Sequence, residues 1–307
     1  MKPAAQHIND AEVFILENDN LEVSVVPAIG GKILSIYNKQ LKHEFLWTNE
    51  NLELKRHGPG TEYDPNFLGG IDELIPNDIP EIIDGIAYPD HGELWTTSLH
   101  HETGDNKIKV YGTLKLSGLY YSKTISLVEN SPAVHLQYHI KNNSGKPINF
   151  MWKLHAALNI MAEDKIVTPA KKAKVADPEY SRFKKQLKEF AWPHIENTDA
   201  SVIPAKNGSM DFMYLYDVPT GEMQLENKAG HFFSYKYDPS IFPYQWLFAS
   251  YGGFFDHYVA ILEPCTNMPI SVNEAQSLKQ SAFLERGASL ETSVTIFAGE
   301  KKNYIDK

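Results

Sequence analysis

The 307-residue sequence holds one cysteine, Cys265, so no disulfide can close within the chain and a reducing compartment is the simplest expectation. Basic residues are short in supply: 29 Lys and Arg stand against 39 Asp and Glu, a net charge of -10, which argues against a nucleic-acid-binding face. No apolar run is clean enough to cross a bilayer. The longest candidate, YQWLFASYGGFFDHYVAIL, is interrupted by Gln245, Asp256 and His257. The opening residues, MKPAAQHINDAEV, contain no apolar block of the secretory kind. The expectation is a soluble, cytoplasmic protein with neither a nucleic-acid nor a membrane partner.

Familiar catalytic signatures are also missing. The chain has no HExxH pair, no Gly-x-Ser-x-Gly elbow, no P-loop and no dinucleotide fingerprint after a strand. His135 and His139 share a strand face, but four residues at roughly 3.3 Å each place them about 13 Å apart, too far to share one metal. His100 and His101 point to opposite sides of their strand. Cys265 reads as a small buried hydrophobe rather than a nucleophile. None of these patterns supplies a metal site.

What the sequence does have is short strands. In LEVSVV, Leu21, Val23 and Val25 face one way while Glu22 and Ser24 face the other. Similar runs follow: LWTTSLH, KIKVYGTLKL, YYSKTISLV, AVHLQYHIKN, INFMWKLHAAL, FMYLYDV, HFFSYKY, YVAILEP and SLETSVTIFAG, with turns such as VENSP and KNNSGKP between several of them. This spacing predicts an all-β chain, a sandwich or barrel, with one or two short helices and one domain over residues 1–307. One segment, DPEYSRFKKQLKEFAWP, has helical spacing. Tyr180, Phe183, Leu187 and Phe190 share a face, Asp177 can cap, Pro178 suits the first turn and Pro193 stops it. Arg182, Lys184, Lys185 and Lys188 would form its solvated side. Residues 56–95 are Gly- and Pro-rich with little periodicity, and long irregular loops in compact domains are often functional.

Three places could carry chemistry. In INFMWKLHAAL, Ile148, Phe150, Trp152, Leu154, Ala156 and Leu158 form a core face. The other face carries Asn149, Met151, Lys153, His155 and Ala157, and either meets solvent or lines a polar cavity. Glu263 ends the apolar run VAIL and shares its face with Val259 and Ile261. It is either a strand end reaching water or a desolvated carboxylate kept as a base. In PDHGELW, His91 precedes a glycine, and Trp95 could stack on a ligand.

Taken together, LEVSVVPAIGGKILSIYNK, GGIDELIPND, PDHGELW, FMWKLHAAL, SMDFMYLYD and AILEPCTNMP, in that order and followed by LERGASLETSVTIFAG, resemble the aldose 1-epimerase (galactose mutarotase-like) superfamily over nearly the whole chain. The resemblance implies a β-supersandwich that binds a sugar on a concave sheet face. It also implies site roles. Glu263 would be the general base that takes the anomeric hydroxyl proton, and His155 the general acid that protonates the ring oxygen. His91 and Asp211 would be sugar contacts; beyond what the resemblance implies, Glu73, Lys153 and Trp246 are further candidate contacts. Where galactose mutarotases place an arginine ahead of the first site histidine, this chain reads GGIDELIPN, with Asp72, Glu73 and Asn77. Lys153 is the one cation placed near His155, so the expected substrate is a neutral aldose, with no cofactor required. Two rivals remain: a sugar-binding protein without turnover, and a glycoside-processing enzyme pairing Glu263 with Glu73 or Asp72. The sequence is silent on oligomeric state.

Overall fold

The computed structural model describes residues 2–186 and 188–304. The elements that position the site are, in chain order, β1 (Leu21–Val26), β2 (Lys32–Asn38), β3 (Ile71–Leu74), β4 (Lys107–Thr113), β5 (Leu119–Leu127), β6 (Ala133–Asn142), β7 (Lys153–Asn159), β8 (Ser209–Tyr216), β9 (His231–Lys236), β10 (Tyr244–Tyr251), β11 (Tyr258–Cys265), α1 (Val272–Ser277) and β12 (Ser289–Glu300). Among the described residues they belong to two large sheets. A 12-stranded sheet contains the run β1-β2-β3-β7-β11-β10-β8, and an 8-stranded sheet contains β9-β12-β6-β5-β4. Every pairing in these runs is antiparallel.

Period-two alternation decides what each strand contributes. In β7, Leu154, Ala156 and Leu158 join the core between the sheets, together with Leu262 of β11 and Leu136 and Ile140 of β6. Each buried aliphatic side chain of this kind stabilises the sandwich by roughly 1.5–3 kcal/mol relative to exposure. The other face of the same strands is buried too. Val259 and Ile261 of β11 pack with Leu74 of β3 and with Tyr63, Phe67 and Trp95 from residues 56–95. The large sheet is therefore covered on both sides around β3, β7 and β11, and the second cover is the long loop.

The sequence expectations hold in outline and fail in identifiable places. INFMWKLHAAL keeps its alternation but is cut in two. Ile148–Phe150 pairs with Ala282–Leu284 in a small separate sheet, and the large-sheet strand begins only at Lys153. At the break, the Met151 and Trp152 amides donate to the Pro76 carbonyl and the Thr266 hydroxyl instead of to a ladder. LWTTSLH is mostly turn, with a strand only from His100. Residues 56–95 are less irregular than expected, since they supply β3 and a small hairpin, Glu81–Ile83 with Ile86–Tyr88.

The expected helix across residues 177–193 is absent among the described residues; Leu187, one of its four apolar positions, lies outside them. Tertiary partners outcompete the helical pattern here. The Arg182 amide donates to the Met210 carbonyl, and Ser181 bridges to Met210 of β8. Arg182 itself is not on a solvated face, because its guanidinium pairs with buried Asp211 at 2.5 Å. Among the described residues the one α-helix is α1, where the Ser271 side chain accepts from the Glu274 amide as an N-cap.

Candidate functional site

The loop-covered face of the large sheet contains a cavity of about 160 Å³. That is well below the ~300–1,000 Å³ of pockets for drug-sized ligands and suits one small ring. Strands form its floor, with Lys153 and His155 from β7, Glu263 and Ile261 from β11, Phe248 from β10 and Phe212 from β8. Residues 56–95 form the opposite wall through Tyr63, Asp64, Phe67, Asp78 and His91, and Phe254 closes one side from the turn between β10 and β11.

The centre of the floor is a shared ammonium. Lys153 Nζ lies 2.5 Å from Asp78 Oδ2 and 2.6 Å from Glu263 Oε2. It also sits 4.5 Å from the centre of the Trp246 ring, so an aromatic face backs the ion triad. Lys153, Asp78 and Glu263 are 3%, 4% and 1% exposed, which places the charges out of bulk water. Burial disfavours the lysine charge, but Asp78 and Glu263 more than reverse that and hold the ammonium. For Glu263 the balance falls the other way. Burial lifts its carboxyl above the ordinary value, and Lys153 offsets only part of the rise. Asp78, with both Lys153 and His91 opposing its burial, lies below its ordinary value.

The two histidines differ in kind. His91 sits in a tight turn at φ +57°, its amide donating to the Asp78 carbonyl at 2.5 Å. The following Gly92, at φ +74°, comes so close to Ile75 that a Cβ there would lie 2.3 Å from its carbonyl oxygen, so no larger residue fits. His91 Nδ1 is 2.8 Å from Asp90 Oδ1, and its ring stacks on Tyr63 at 4.1 Å and 12°. Burial works against its imidazolium, but Asp78 and the bond to Asp90 prevail and raise its pKa above the ordinary 6.5. His155 is the reverse. Burial, then Lys153, then His91 push it well below 6.5, so its ring is neutral at neutral pH. The Tyr63 hydroxyl donates to Asp72 at 2.8 Å, and Asp72 is also paired with Lys32 at 2.6 Å. His155 Nδ1, 3.4 Å from that hydroxyl oxygen, can then approach it only as a weak N–H donor. A ring with its proton on Nδ1 would complete this contact and keep Nε2 as an acceptor.

Of the residues singled out from sequence, Glu263, His155, His91 and Lys153 line this one cavity. The structure does not bring the other three to it. Glu73 follows Asp72 in β3 and so faces the core between the sheets, where Lys123 of β5 pairs with it at 2.7 Å and the Tyr138 hydroxyl of β6 donates at 2.7 Å. Asp211 shares its strand face with core residues Met213 and Leu215 and is held by Arg182 and the Ser181 hydroxyl. Trp246 faces the correct side but lies beneath Lys153, its indole N–H donating to the Asn267 carbonyl at 2.8 Å. Trp95 packs edge-on against Tyr63 behind the cavity wall. Sequence reasoning missed Tyr63, Asp64, Phe67 and Asp78 on the loop and Phe212, Phe248 and Phe254 on and beside the sheet. The available signal was the strand alternation placing Phe212 opposite Met213 and Phe248 opposite Leu247; for the loop residues there was none. Among the described residues, no group of three or more His, Cys, Asp or Glu side chains is placed to hold a metal ion.

The geometry can be set beside known proteins. The Slr1438 protein of Synechocystis superposes with a TM-score of 0.73 at 13% identity, over 97% of this chain and 99% of that one. A candidate aldose 1-epimerase of Klebsiella pneumoniae gives 0.73 at 17% identity, over 94% of this chain and 80% of that one. A galactose mutarotase-like protein of Lactobacillus casei gives 0.67 at 14% identity, over 93% and 99%. The fold is the galactose mutarotase-like fold. Identities at this level establish the galactose mutarotase-like architecture and leave the chemistry to be argued from the cavity. The sequence matches no established family profile. Among curated proteins, the membrane protein insertase YidC of Vibrio atlanticus is 24% identical over 190 residues, which make up 60% of this chain and 33% of that protein. The chain thus matches about a third of that relative's length. Among the described residues, no helix is long and apolar enough to cross a membrane.

Proposed function

We propose that the chain is a cofactor-independent aldose 1-epimerase that interconverts the anomers of a neutral sugar by acid–base ring opening. The observation that carries this reading is a division of labour inside one ring-sized cavity. A buried carboxylate, Glu263, is paired with an ammonium at 2.6 Å, and across the cavity an imidazole, His91, is bound by Asp90 at 2.8 Å, with neighbouring acids raising its pKa. Groups whose surroundings prepare one as base and the other as acid are what opening a hemiacetal requires. The neighbours described as candidate aldose 1-epimerases and galactose mutarotase-like proteins support the same class.

In this reading Glu263 removes the proton from the anomeric hydroxyl as the bond between C1 and the ring oxygen breaks. The electron pair of that bond goes to the ring oxygen, which takes a proton from His91. The free aldehyde turns about the C1–C2 bond. The hydroxyl then adds to the other face, returning its proton to His91, while Glu263 gives its proton back to the new anomeric oxygen. We give the acid role, expected of His155, to His91, whose cation the neighbouring acids favour. His155, neutral and with Nε2 as acceptor, takes a hydrogen bond from a sugar hydroxyl. Lys153 keeps Glu263 ionised and fixed, and the aromatic walls cover the C–H faces of the ring.

A glycoside-processing reading is weaker. Glu73 is sealed in the core, and Asp72 is bound by Lys32 and Tyr63. Asp78 and Glu263 are close enough for the ~5–5.5 Å spacing of retaining glycosidases, but one ammonium sits between them and pairs with both. The test is anomer exchange, followed by polarimetry and NMR, for glucose, galactose, xylose, rhamnose and glucose 6-phosphate. Acceleration of at least one neutral sugar, lost in Glu263→Gln, is the expected result. Sugar binding without acceleration would instead establish a binding protein.

A further inference from the structure

The charged groups lining the cavity are nearly all partnered within the protein. Asp78 and Glu263 share Lys153, and His91 is held by Asp90. Asp64 is the exception. Asp64 lines the cavity, and among the described residues its carboxylate makes no side-chain hydrogen bond or ion pair. It is nonetheless firmly placed. It opens a short 3₁₀ turn, Asp64–Asn66, with Pro65 fixing the backbone, and its carbonyl accepts from the Phe67 amide. The preceding Tyr63 amide is anchored on Asp90 Oδ2 at 2.9 Å, and Tyr63 and Phe67 are both buried. The position is partly desolvated, and burial accordingly lifts the Asp64 carboxyl above its ordinary value, with His91 opposing. A fixed acceptor facing the cavity without a protein donor is free to take one from a ligand.

We propose that Asp64 is the specificity-determining acceptor of this cavity, selecting an uncharged sugar that presents two adjacent free hydroxyls and rejecting anionic sugars. A carboxylate has two oxygens and no proton to give, so it matches a pair of neighbouring hydroxyl donors. An anionic sugar would meet the Asp64 charge with no free cation to offset it, because Lys153 and His91 are already committed. The proposal rests on the reading of the cavity as a sugar site and not on turnover.

The experiment measures binding to the full chain by titration calorimetry and saturation-transfer NMR, with glucose, galactose, their single-deoxy analogues and the corresponding hexuronates. The wild type is expected to bind a neutral aldose at least tenfold more tightly than its hexuronate, and to lose affinity for one of the deoxy analogues. Asp64→Asn, which keeps the shape, is expected to weaken the neutral sugar by about 10–100-fold, the usual effect of losing hydrogen bonds to a charged group, and to narrow the gap to the hexuronate. Asp64→Glu should restore part of the preference. Wild-type affinity in Asp64→Asn, equal binding of hexuronate and aldose, or no binding of any sugar would each overturn the proposal. Binding with this pattern but without anomer exchange would overturn the epimerase reading and leave this one standing.

Discussion

Two buried glutamates, Glu73 and Glu263, each face a buried lysine at nearly the same distance, 2.7 Å and 2.6 Å, on opposite sides of one sheet. Glu73 has Lys123 as its own partner and the Tyr138 hydroxyl on its other oxygen, and all three are closed between the sheets. Glu263 shares its lysine with Asp78 and opens onto a cavity. The first arrangement leaves the carboxylate nothing further to do and works as a clamp between layers. The second leaves acceptor capacity unused beside an empty space. A buried ion pair is therefore not by itself a mark of function; what distinguishes the two is whether the pairing is complete.

The comparison breaks most visibly if Glu263 and Glu73 are each replaced by Gln. Glu263→Gln is expected to lower kcat for anomer exchange by about 10²–10⁴-fold with the fold retained, since Lys153 keeps Asp78 as counter-ion. Glu73→Gln strands Lys123 without a charge partner, so urea unfolding should show a loss of about 3–5 kcal/mol, while activity per folded molecule stays near wild type. Equal activity losses in both would erase the distinction. A pH profile sharpens it. In the proposed mechanism turnover requires Glu263 ionised and His91 protonated, and both groups are shifted upward. The acid limb of kcat/KM should then fall above 4.5 and the alkaline limb above 6.5. Asp90→Asn removes a bond that favours the His91 cation, so the alkaline limb should move down towards 6.5 while the acid limb stays in place. The smallest effect belongs to Trp246→Phe. It weakens the ring beneath Lys153 and orphans the Asn267 carbonyl, for about 1–2 kcal/mol of stability with Glu263 chemistry largely kept.

The same contrast explains what could be read from the sequence. Alternation identified Leu154, Ala156 and Leu158 as core and put Lys153 and His155 together on the other face, because β7 is regular and the pattern there is unbroken. In β3 the pattern is uninformative. All of Ile71, Asp72, Glu73 and Leu74 are buried, so hydrophobicity does not say which carboxylate faces which layer. The alternation did require Asp72 and Glu73 to point opposite ways, and on that ground alone both could not have served a single site. Asp211 failed for the same reason, being on the Met213 face of β8. The segment around Arg182 was misread because helical spacing is a local signal, and the partners that overrode it, Met210 and Asp211, lie about 30 residues away in the chain. Tyr63, Asp64 and Phe67 had no periodicity to announce them, since a loop fixed by contacts such as that of Tyr63 with Asp90 carries its order in tertiary geometry.

The neighbouring carboxylates of β3 also bear on how the chain assembles. Asp72 is matched to Lys32 on one side of the sheet and Glu73 to Lys123 on the other. A strand laid down one residue out of step would exchange the two faces, turning each acid away from its lysine. Such a misalignment would bring Ile71 or Leu74 into the place of one acid and leave Lys32 or Lys123 without a carboxylate in a dry compartment, a penalty that hydrophobic contacts alone would not impose on so short a strand. The two acids thus favour the native alignment of β3 over its one-residue neighbours.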